Sequence, residues 1–461
     1  MNEHSEMTVR ALVESLPREL EESIERHRVP GASVAVGIDG SLFEFSAGLA
    51  NVHTRVPTTP DTIFQIGSIT KSFTATLTLQ LVERGKLRLD APIGTYLPRL
   101  CLGDRDALRQ ITLRQLLAHT SGIDGDLLTD TGRDGDALAR LSATLDAVRQ
   151  LHRPGVRFSY CNLGYNILGH ALEVASGGIW DDLLRQGVLQ PLGLTHSVTS
   201  ADEALRHRVA IGHVTSAGGE PALVDRPFTP RSNGPSGMTM ASAARDLVTF
   251  AQMTLDGGLS STGERVLATA SVAAMRTLQV TNPFSQKYAG WGLGWMLFDA
   301  AAAKMFGHDG GAAGNCAFLR ILPAARAVVA LLVNHERGMA VYRDLFDRRL
   351  SMLTGMQPPA ALAMPAHPPA GVDLTLYAGT YQRHGQTIDL RREGQRLAGR
   401  LHGEYVGSSD VVFEVAPLDR DRFVAAIAGA HFPIHFLDFD SAGRPACLHA
   451  SDRAFIRYDR A

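Results

Sequence analysis

The sequence predicts an α+β domain followed by a small antiparallel β domain, and three observations carry that expectation. Strand-like and helix-like runs are mixed without regular βαβ alternation over residues 1–355, a proline-rich stretch at 356–371 breaks the composition, and short alternating runs crowd residues 372–461. In the first region "ASVAVGI", "LFEFSAG" and "AVVALLVN" read as strands, and "TATLTLQLVERG" and "ARDLVTFAQMTLDGG" read as helices. The break, "GMQPPAALAMPAHPPAG", carries five prolines, each of which fixes φ and removes a backbone donor, so it reads as a linker. Beyond it, seven runs from "YAGTYQ" to "AFIRYDR", separated by Gly, Asp, Ser and Pro, predict a small barrel or sandwich.

Bulk chemistry narrows the partners. A chain of 461 residues suits two or three domains at about 150 residues each. With 45% apolar and 20% charged residues and a formal net charge of −2, neither nucleic acid nor an anionic membrane is called for. The first 28 residues form an acidic amphipathic helical pattern without the basic and apolar regions of a secretory signal. No apolar run reaches the roughly 20 residues needed to cross a bilayer. Cys101, Cys161, Cys316 and Cys447 lack CxxC or metal-type spacing, so free thiols, a cytoplasmic location and no metal or other cofactor are expected.

The chain has only four lysines, and one of them, Lys71, opens the apolar run in "FQIGSITKSFTATLTLQLVERGKL". In a helix beginning near Ser68, residues three apart share a face, so the Ser68 hydroxyl and the Lys71 amine stack one turn apart. Serine is a poor nucleophile without an adjacent base, and lysine becomes a base only where burial or positive neighbours lower its pKa. The helix start also leaves the Ser68 N–H unpaired, ready to face an oxyanion. Alone, the tetrapeptide reads equally as an N-capping serine and a lysine that reaches solvent.

Two further stretches fit the same chemistry. In "FSYCNLGYNILGHALEVA", Tyr160 and Asn162 stand two apart just before a helical run, so on an extended segment they face the same way. A tyrosine there can relay a proton, and an asparagine amide can bond both a lysine and a substrate carbonyl. A core tyrosine beside a turn asparagine is the plainer alternative. In "MFGHDGGAAGNCAFLRILPAARAVVALLVNH", His308, Asp309, Gly310 and Gly311 precede a strand-like run. Glycines let a strand lie against a substrate at Gly310, and the Gly311 N–H can serve as the second oxyanion donor. The plainer alternative is a glycine-rich turn with an exposed histidine. No serine has glycine at both −2 and +2, so the nucleophile elbow is absent, and HExxH is missing too. His119, His152, His170 and His213 read as structural, His119 as a buried hydrogen bonder, and "NHERG" around His335 as a strand end with solvated charges.

SxxK, YxN and HxG, in that order, resemble the penicillin-recognising serine hydrolase superfamily, in particular the branch of class C β-lactamases, DD-peptidases, D-aminopeptidases and related esterases. The flanking segments "PDTIFQIGSITKSFTA", "ITLRQLLAHTSGI", "QPLGLTHS" and "YAGWGLGW" are similar as well, and the resemblance spans roughly residues 25–350. It implies a β-lactamase/penicillin-binding-protein-like domain over 1–355, an antiparallel sheet flanked by helices with a helical subdomain. After the linker at 356–371 it implies a lipocalin-like antiparallel β-barrel over 372–461. It also implies roles: Ser68 as nucleophile, Lys71 as base, Tyr160 as proton donor to the leaving group, Asn162 and Gly310 on the substrate, His308 beside Tyr160 or the substrate, and the Ser68 and Gly311 N–H groups around the oxyanion.

A β-lactamase of this superfamily would carry an export signal and a lysine at position 308. The histidine and the acidic N-terminus turn the expectation to cytoplasmic members, most of all the stand-alone penicillin-binding-protein-type thioesterases that release nonribosomal peptides as macrocycles. The implied substrate is a peptidyl thioester with a D-configured C-terminal residue, delivered by a peptidyl carrier protein. A D-aminopeptidase, D-amino-acid amidase or carboxylesterase is the alternative, and a β-lactamase, a DD-carboxypeptidase or a non-catalytic binding protein stands behind it. Arg453 and Arg457, near the chain end, read as residues of a solvated strand face that could instead reach the cleft.

Overall fold

The computed structural model describes residues 3–458 except 229, 358–359, 368, 370, 405–409 and 428, with side chains from Val13 onward. A nine-stranded antiparallel sheet forms the frame. It contains β1 (Gly31–Ile38), β2 (Ser41–Asn51), β3 (Val56–Pro57), β4 (Val280–Thr281), β5 (Gly290–Trp291), β6 (Met296–Leu297), β7 (Phe306–Ala312), β8 (Asn315–Leu322) and β9 (Ala327–Val333), in the order β3-β2-β1-β9-β8-β7-β6-β5-β4. Helices cover both faces, which is why β1 and β9 are buried at every residue and read as unbroken apolar runs. The alternation still sorts side chains by face. Val34, Phe318, Leu331 and Val333 pack with α1 (Glu3–Arg26), α5 (Gly338–Tyr342) and α6 (Arg348–Thr354), while Ala35, Leu319, Ala330 and Leu332 pack toward α4 (Ala244–Leu255).

The helical part of the domain is organised around α2 (Thr70–Glu83), whose residues 70–81 are all buried. A helix with no solvent face must satisfy its polar groups internally. Its threonines do so by bonding carbonyls: Thr70 to Gly67 at 2.8 Å, Thr74 to Pro235 at 2.9 Å, Thr76 to Ser72 at 2.9 Å and Thr78 to Thr74 at 2.8 Å. A tight 3-10 turn, Gly67–Ile69, leads into α2, so Ser68 precedes the α-helix proper. Three residues per turn eclipses positions i and i+3, which tightens the stacking of Ser68 over Lys71. Against α2 packs α3 (Asn162–Ser176), ended by Gly177 at φ 81°.

Among the described residues, 356–371 contains no helix or strand, and part of the expected linker, residues 358–359, 368 and 370, lies outside them. The C-terminal strands close into an eight-stranded antiparallel barrel: β10 (Gly379–Arg383), β11 (Gln386–Glu393), β12 (Arg396–His402), β13 (Val411–Pro417), β14 (Arg422–Ile427), β15 (Ala430–Phe439), β16 (Pro445–Ala450) and β17 (Arg453–Arg457). Closure resolves the choice between barrel and sandwich. The seven alternating runs miss β16, which holds a proline, a cysteine and a histidine in place of aliphatic alternation and owes its order to pairing with β15 and β17. The barrel interior is packed: Tyr377 meets the rings of Phe423 and Phe436 at centroid distances of 4.8 and 4.9 Å, and Tyr381 is fully buried.

The barrel docks on the stretch Arg157–Asn162. Arg157 pairs with Asp438 at 2.6 Å, the Ala454 N–H donates to Ser159 Oγ at 3.1 Å, and the Tyr160 N–H donates to the Asp452 carbonyl at 2.8 Å. That carbonyl sits on the two-residue turn between β16 and β17, where Ser451 and Asp452 both hold positive φ, 50° and 65°. Such a turn matches the twist of a tight hairpin. Asp452 also accepts Asn282 Nδ2 at 2.8 Å through its carboxylate, so one turn is tied to two segments of the first domain. No helix of the described residues is long and apolar enough to cross a membrane.

His449 places a titratable ring in this interface. Its Nε2 lies 3.1 Å from the Phe158 carbonyl, a contact that requires the Nε2–H tautomer, and its Nδ1 has no partner. Burial, with the charge of Arg157 nearby, holds its pKa down to about 3. The unfolded chain takes up that proton near pH 6.5. Stability from this residue is therefore present above about pH 6.5 and is lost as the pH falls toward 3. Thermal melts at pH 7 and pH 4.5 should show a lowered Tm at the acidic value, and His449→Gln, which keeps the donor but cannot ionise, should reduce the difference.

Candidate active site

Ser68 is half-buried in a stretch that is otherwise buried, where the 3-10 turn meets β7. Three residues on, Lys71 has no exposed surface. Its Nζ reaches Ser68 Oγ at 3.1 Å, Asn162 Oδ1 at 2.7 Å and the Ser236 carbonyl at 2.5 Å. Burial above all, and then the charge of Arg453, pushes its pKa well below the usual lysine value, against the opposing charge of Asp126. As a neutral amine, Lys71 has two N–H bonds for the two carbonyl-type acceptors and one lone pair for the Ser68 hydroxyl. The arrangement makes that hydroxyl the donor.

Tyr160 stands over this pair, with Lys71 Nζ 4.8 Å from its ring centroid. Burial raises its pKa, and the hydrogen bond with Ser68 and the charge of Arg453 only partly offset this, so the side chain is a phenol at neutral pH. Its ring stacks on His119 at 4.2 Å. His119 acts as the buried hydrogen bonder expected of it: its Nδ1 accepts the Cys161 N–H at 3.0 Å and so fixes the backbone between Tyr160 and Asn162. His170 and His213 are likewise held by Ser142 Oγ at 2.8 Å and the Asn334 carbonyl at 3.0 Å. His335 departs from its reading: it is buried, and its Nδ1 accepts the Arg337 N–H at 3.1 Å.

On the other side of Ser68 runs β7. Only Phe306 and Gly307 of this strand pair with β6, which leaves His308–Ala312 with one free edge toward the 3-10 turn. The approach is close enough to demand glycine. A Cβ on Gly310 would stand 1.9 Å from the Ile66 carbonyl oxygen, and one on Gly67, already at φ 51°, would stand 2.5 Å from the Gly311 nitrogen. Gly311 itself has room for a side chain, with its nearest neighbour at 3.9 Å, so the strand presses on Ser68 through Gly310. His308 is fully buried rather than exposed, edge-on to Trp291 at 5.2 Å, with Nδ1 2.6 Å from the Asp309 carbonyl. Burial above all holds its pKa down to about 3, so the ring is neutral and its Nε2 is an acceptor without a partner.

Asn162 carries a connection that sequence reasoning missed. Its Nδ2 donates to Asp126 Oδ1 at 2.7 Å, and Asp126 Oδ2 accepts Arg453 Nε at 2.6 Å and Arg383 Nη1 from the barrel. Burial alone would raise the Asp126 pKa, but the two guanidinium groups overcome it and hold the carboxyl well below its usual range. Arg453 is therefore not on a solvated strand face: it lies 4.8 Å from the Tyr160 ring centroid. Arg457 stays within the barrel, donating to the carbonyls of Leu376 and Ala378, each at 2.7 Å. Asp126, Arg383 and the Ser236 carbonyl had no motif to announce them. The one signal was the acidic "DGD" that follows "AHTSGI" in the chain.

Comparison with known proteins agrees with this geometry. The Beta-lactamase family profile matches residues 9–352. Penicillin-binding protein 4 of Amycolatopsis lactamdurans is 43% identical over 363 residues, covering 78% of this chain and 94% of that protein. Among solved structures, SurE is 30% identical with a TM-score of 0.78 and aligns over 97% of this chain and 99% of its own. D-amino acid amidase from Ochrobactrum anthropi SV3 is 25% identical with a TM-score of 0.59 and covers 70% of this chain and 91% of its own. The chain belongs to the penicillin-binding-protein and β-lactamase superfamily of serine hydrolases.

Proposed function

We propose that this protein is a trans-acting thioesterase and peptide cyclase, which takes a peptidyl thioester with a D-configured C-terminal residue onto Ser68 and closes it with the peptide's own amine. The domain plan and the D-configured residue in this reading are supported by the full-length likeness to SurE, barrel included, and by a SurE structure with D-Leu, 29% identical at a TM-score of 0.76. In this chain the barrel forms a wall of the site through Arg453 and Arg383.

The chemistry follows from the protonation states. Neutral Lys71 takes the Ser68 proton as Oγ attacks the thioester carbonyl. The oxyanion is held between the Ser68 and Gly311 N–H groups, where loss of one donor typically costs about 3 to 4 kcal/mol. Collapse expels the thiolate of a carrier-bound arm, and the Tyr160 phenol supplies the leaving group's proton. The acyl-Ser68 ester then meets an amine, whose proton returns through Tyr160 and Lys71, and the peptide leaves as a ring. Asn162 and Gly310 hold the acyl group's backbone, and neutral His308 offers Nε2 as an acceptor. A peptidyl carrier protein is the partner this reading needs, and a cytoplasmic location goes with it. No metal or other cofactor enters any step.

A second reading is favoured by the likeness to D-amino acid amidase, a structure in complex with L-phenylalanine amide. In that case water resolves the acyl-enzyme and the product is a linear acid. Mass spectrometry distinguishes the two readings. A synthetic peptidyl thioester with a C-terminal D-residue should give a product lighter than the linear acid by one water, absent with Ser68→Ala. Linear acid alone, from the thioester or from the matching amide, would remove the cyclase reading in favour of the hydrolase. The strand contact has its own consequence. Gly310→Ala must push β7 off the Ile66 carbonyl and withdraw the Gly311 donor. It should slow Ser68 acylation by about 100- to 1,000-fold, read as the rate of fluorophosphonate labelling.

A further inference from the structure

The Asp126 carboxylate lies where the first domain meets the barrel, and it is 9% exposed. It comes from a loop without regular structure, so its position depends on its partners. Arg383 is itself held by Gln386 Oε1 at 3.0 Å from Nε, and Arg453 by the Ser451 carbonyl at 3.0 Å from Nη1. The amide of Asn162 joins this cluster to Lys71, with Nδ2 on Asp126 at 2.7 Å and Oδ1 on Lys71 Nζ at 2.7 Å. A carboxylate only accepts and an amide has one donating end, so an Asp126 carboxylate settles which end of Asn162 faces Lys71. If that amide flipped, its NH2 group would face the Lys71 amine donor to donor.

We propose that Asp126 is a positioning residue: paired with Arg383 and Arg453 of the barrel, it holds the Asn162 amide with its oxygen toward Lys71, and the barrel thereby completes the base. The proposal rests on the reading of Ser68 as nucleophile and Lys71 as its base. It separates two effects that the cluster has on Lys71. The first is orientation, through Asn162. The second is charge: Asp126 favours the protonated amine, and Arg453 disfavours it. The other groups around Lys71 are uncharged at neutral pH, the rings of His119 and His308 and the phenols of Tyr160 and Tyr165.

The two sides of the ion pair therefore make opposite predictions. The measurement is the second-order rate of Ser68 labelling by a fluorophosphonate, as a function of pH, on the full chain with folding checked by circular dichroism. Asp126→Asn removes the anion and leaves Arg453 unopposed, so the acid limb of the profile moves to lower pH by about 1 unit or more. Arg453→Met removes the cation and leaves the anion, so the limb moves to higher pH by about as much. The limiting rate of Arg453→Met also falls by about 10- to 100-fold as Asn162 loses its anchor. Arg453→Lys keeps the charge and should return the limb toward the wild-type position. If Arg453→Met fails to fold, Arg383→Met is read in its place. It loosens Asp126 and should lower the limiting rate while the acid limb moves upward by less, and an unchanged limiting rate would overturn the proposal. A loosened interface alone would move every variant the same way. Limbs that stay at the wild-type position, or that move together, overturn the proposal. Wild-type protein that is folded yet not labelled at Ser68 overturns the reading beneath it, and the proposal with it.

Discussion

The constraint on which the site depends is the complete burial of Lys71 without a carboxylate in contact. Taking an ammonium out of water costs several kcal/mol even after relaxation, and three neutral oxygens do not return that energy. The amine meets the constraint by giving up its proton. The contacts of the amine are consistent with its neutral form. The two best acceptors bind its N–H bonds, the third oxygen carries a proton it can receive, and the neighbouring histidines are neutral for the same reason that it is. Even the composition of α2 follows. A helix that carries such a residue inward on every side has no solvent to hydrate its other polar groups, so its threonines turn back onto carbonyls.

The same low dielectric explains why the barrel is bound so specifically. Asp126 could not stay charged at this depth alone, and two arginines from a different domain keep it so. Removing one partner of a buried pair typically costs about 3 to 5 kcal/mol, far more than an exposed pair contributes. The peripheral Arg157–Asp438 pair is of the weaker kind, because Asp438 is half exposed. Registration of the barrel thus comes from the buried cluster and from the Asp452 turn, whose backbone carbonyl is itself a partner of Tyr160. The barrel and the first domain share hydrogen bonds at the very residues that surround Ser68.

What could be read from the chain divides along this line. Ser68 and Lys71 were legible because three residues of separation in a helix fix a distance, and Tyr160 and Asn162 because two residues of separation in an extended segment fix a direction. The β1 and β9 runs were legible from apolar content. Asp126 was not, since its chemistry depends on residues 257 and 327 positions away in sequence. Arg453 was placed on a solvated face because arginine on a short strand usually is solvated, and only the docking of the barrel partly buries it. The plainer alternative for His308, an exposed turn, fails because the glycines around it let the strand press against the turn at Ser68 and bury the ring. The barrel itself was legible from alternation, but β16 was lost because pairing, not composition, makes it a strand.

One difference from the β-lactamase pattern gains a physical meaning here. A lysine at position 308 would bring a positive charge along β7 to Lys71. The histidine that stands there is neutral, and its free Nε2 can accept a hydrogen bond but cannot attract an anion. The cation near Tyr160 comes instead from the opposite side, as Arg453 of the barrel. With the charge on the barrel rather than at position 308, a positive neighbour stays near Lys71 and adds to the effect of burial on its pKa, while the His308 side of the cleft is left neutral. A neutral residue at position 308 suits a neutral acyl donor such as a thioester or an amide better than a substrate that presents a carboxylate there. In the proposed reaction, a neutral strand face would thus favour acyl transfer from a neutral chain, whichever nucleophile finally resolves the ester.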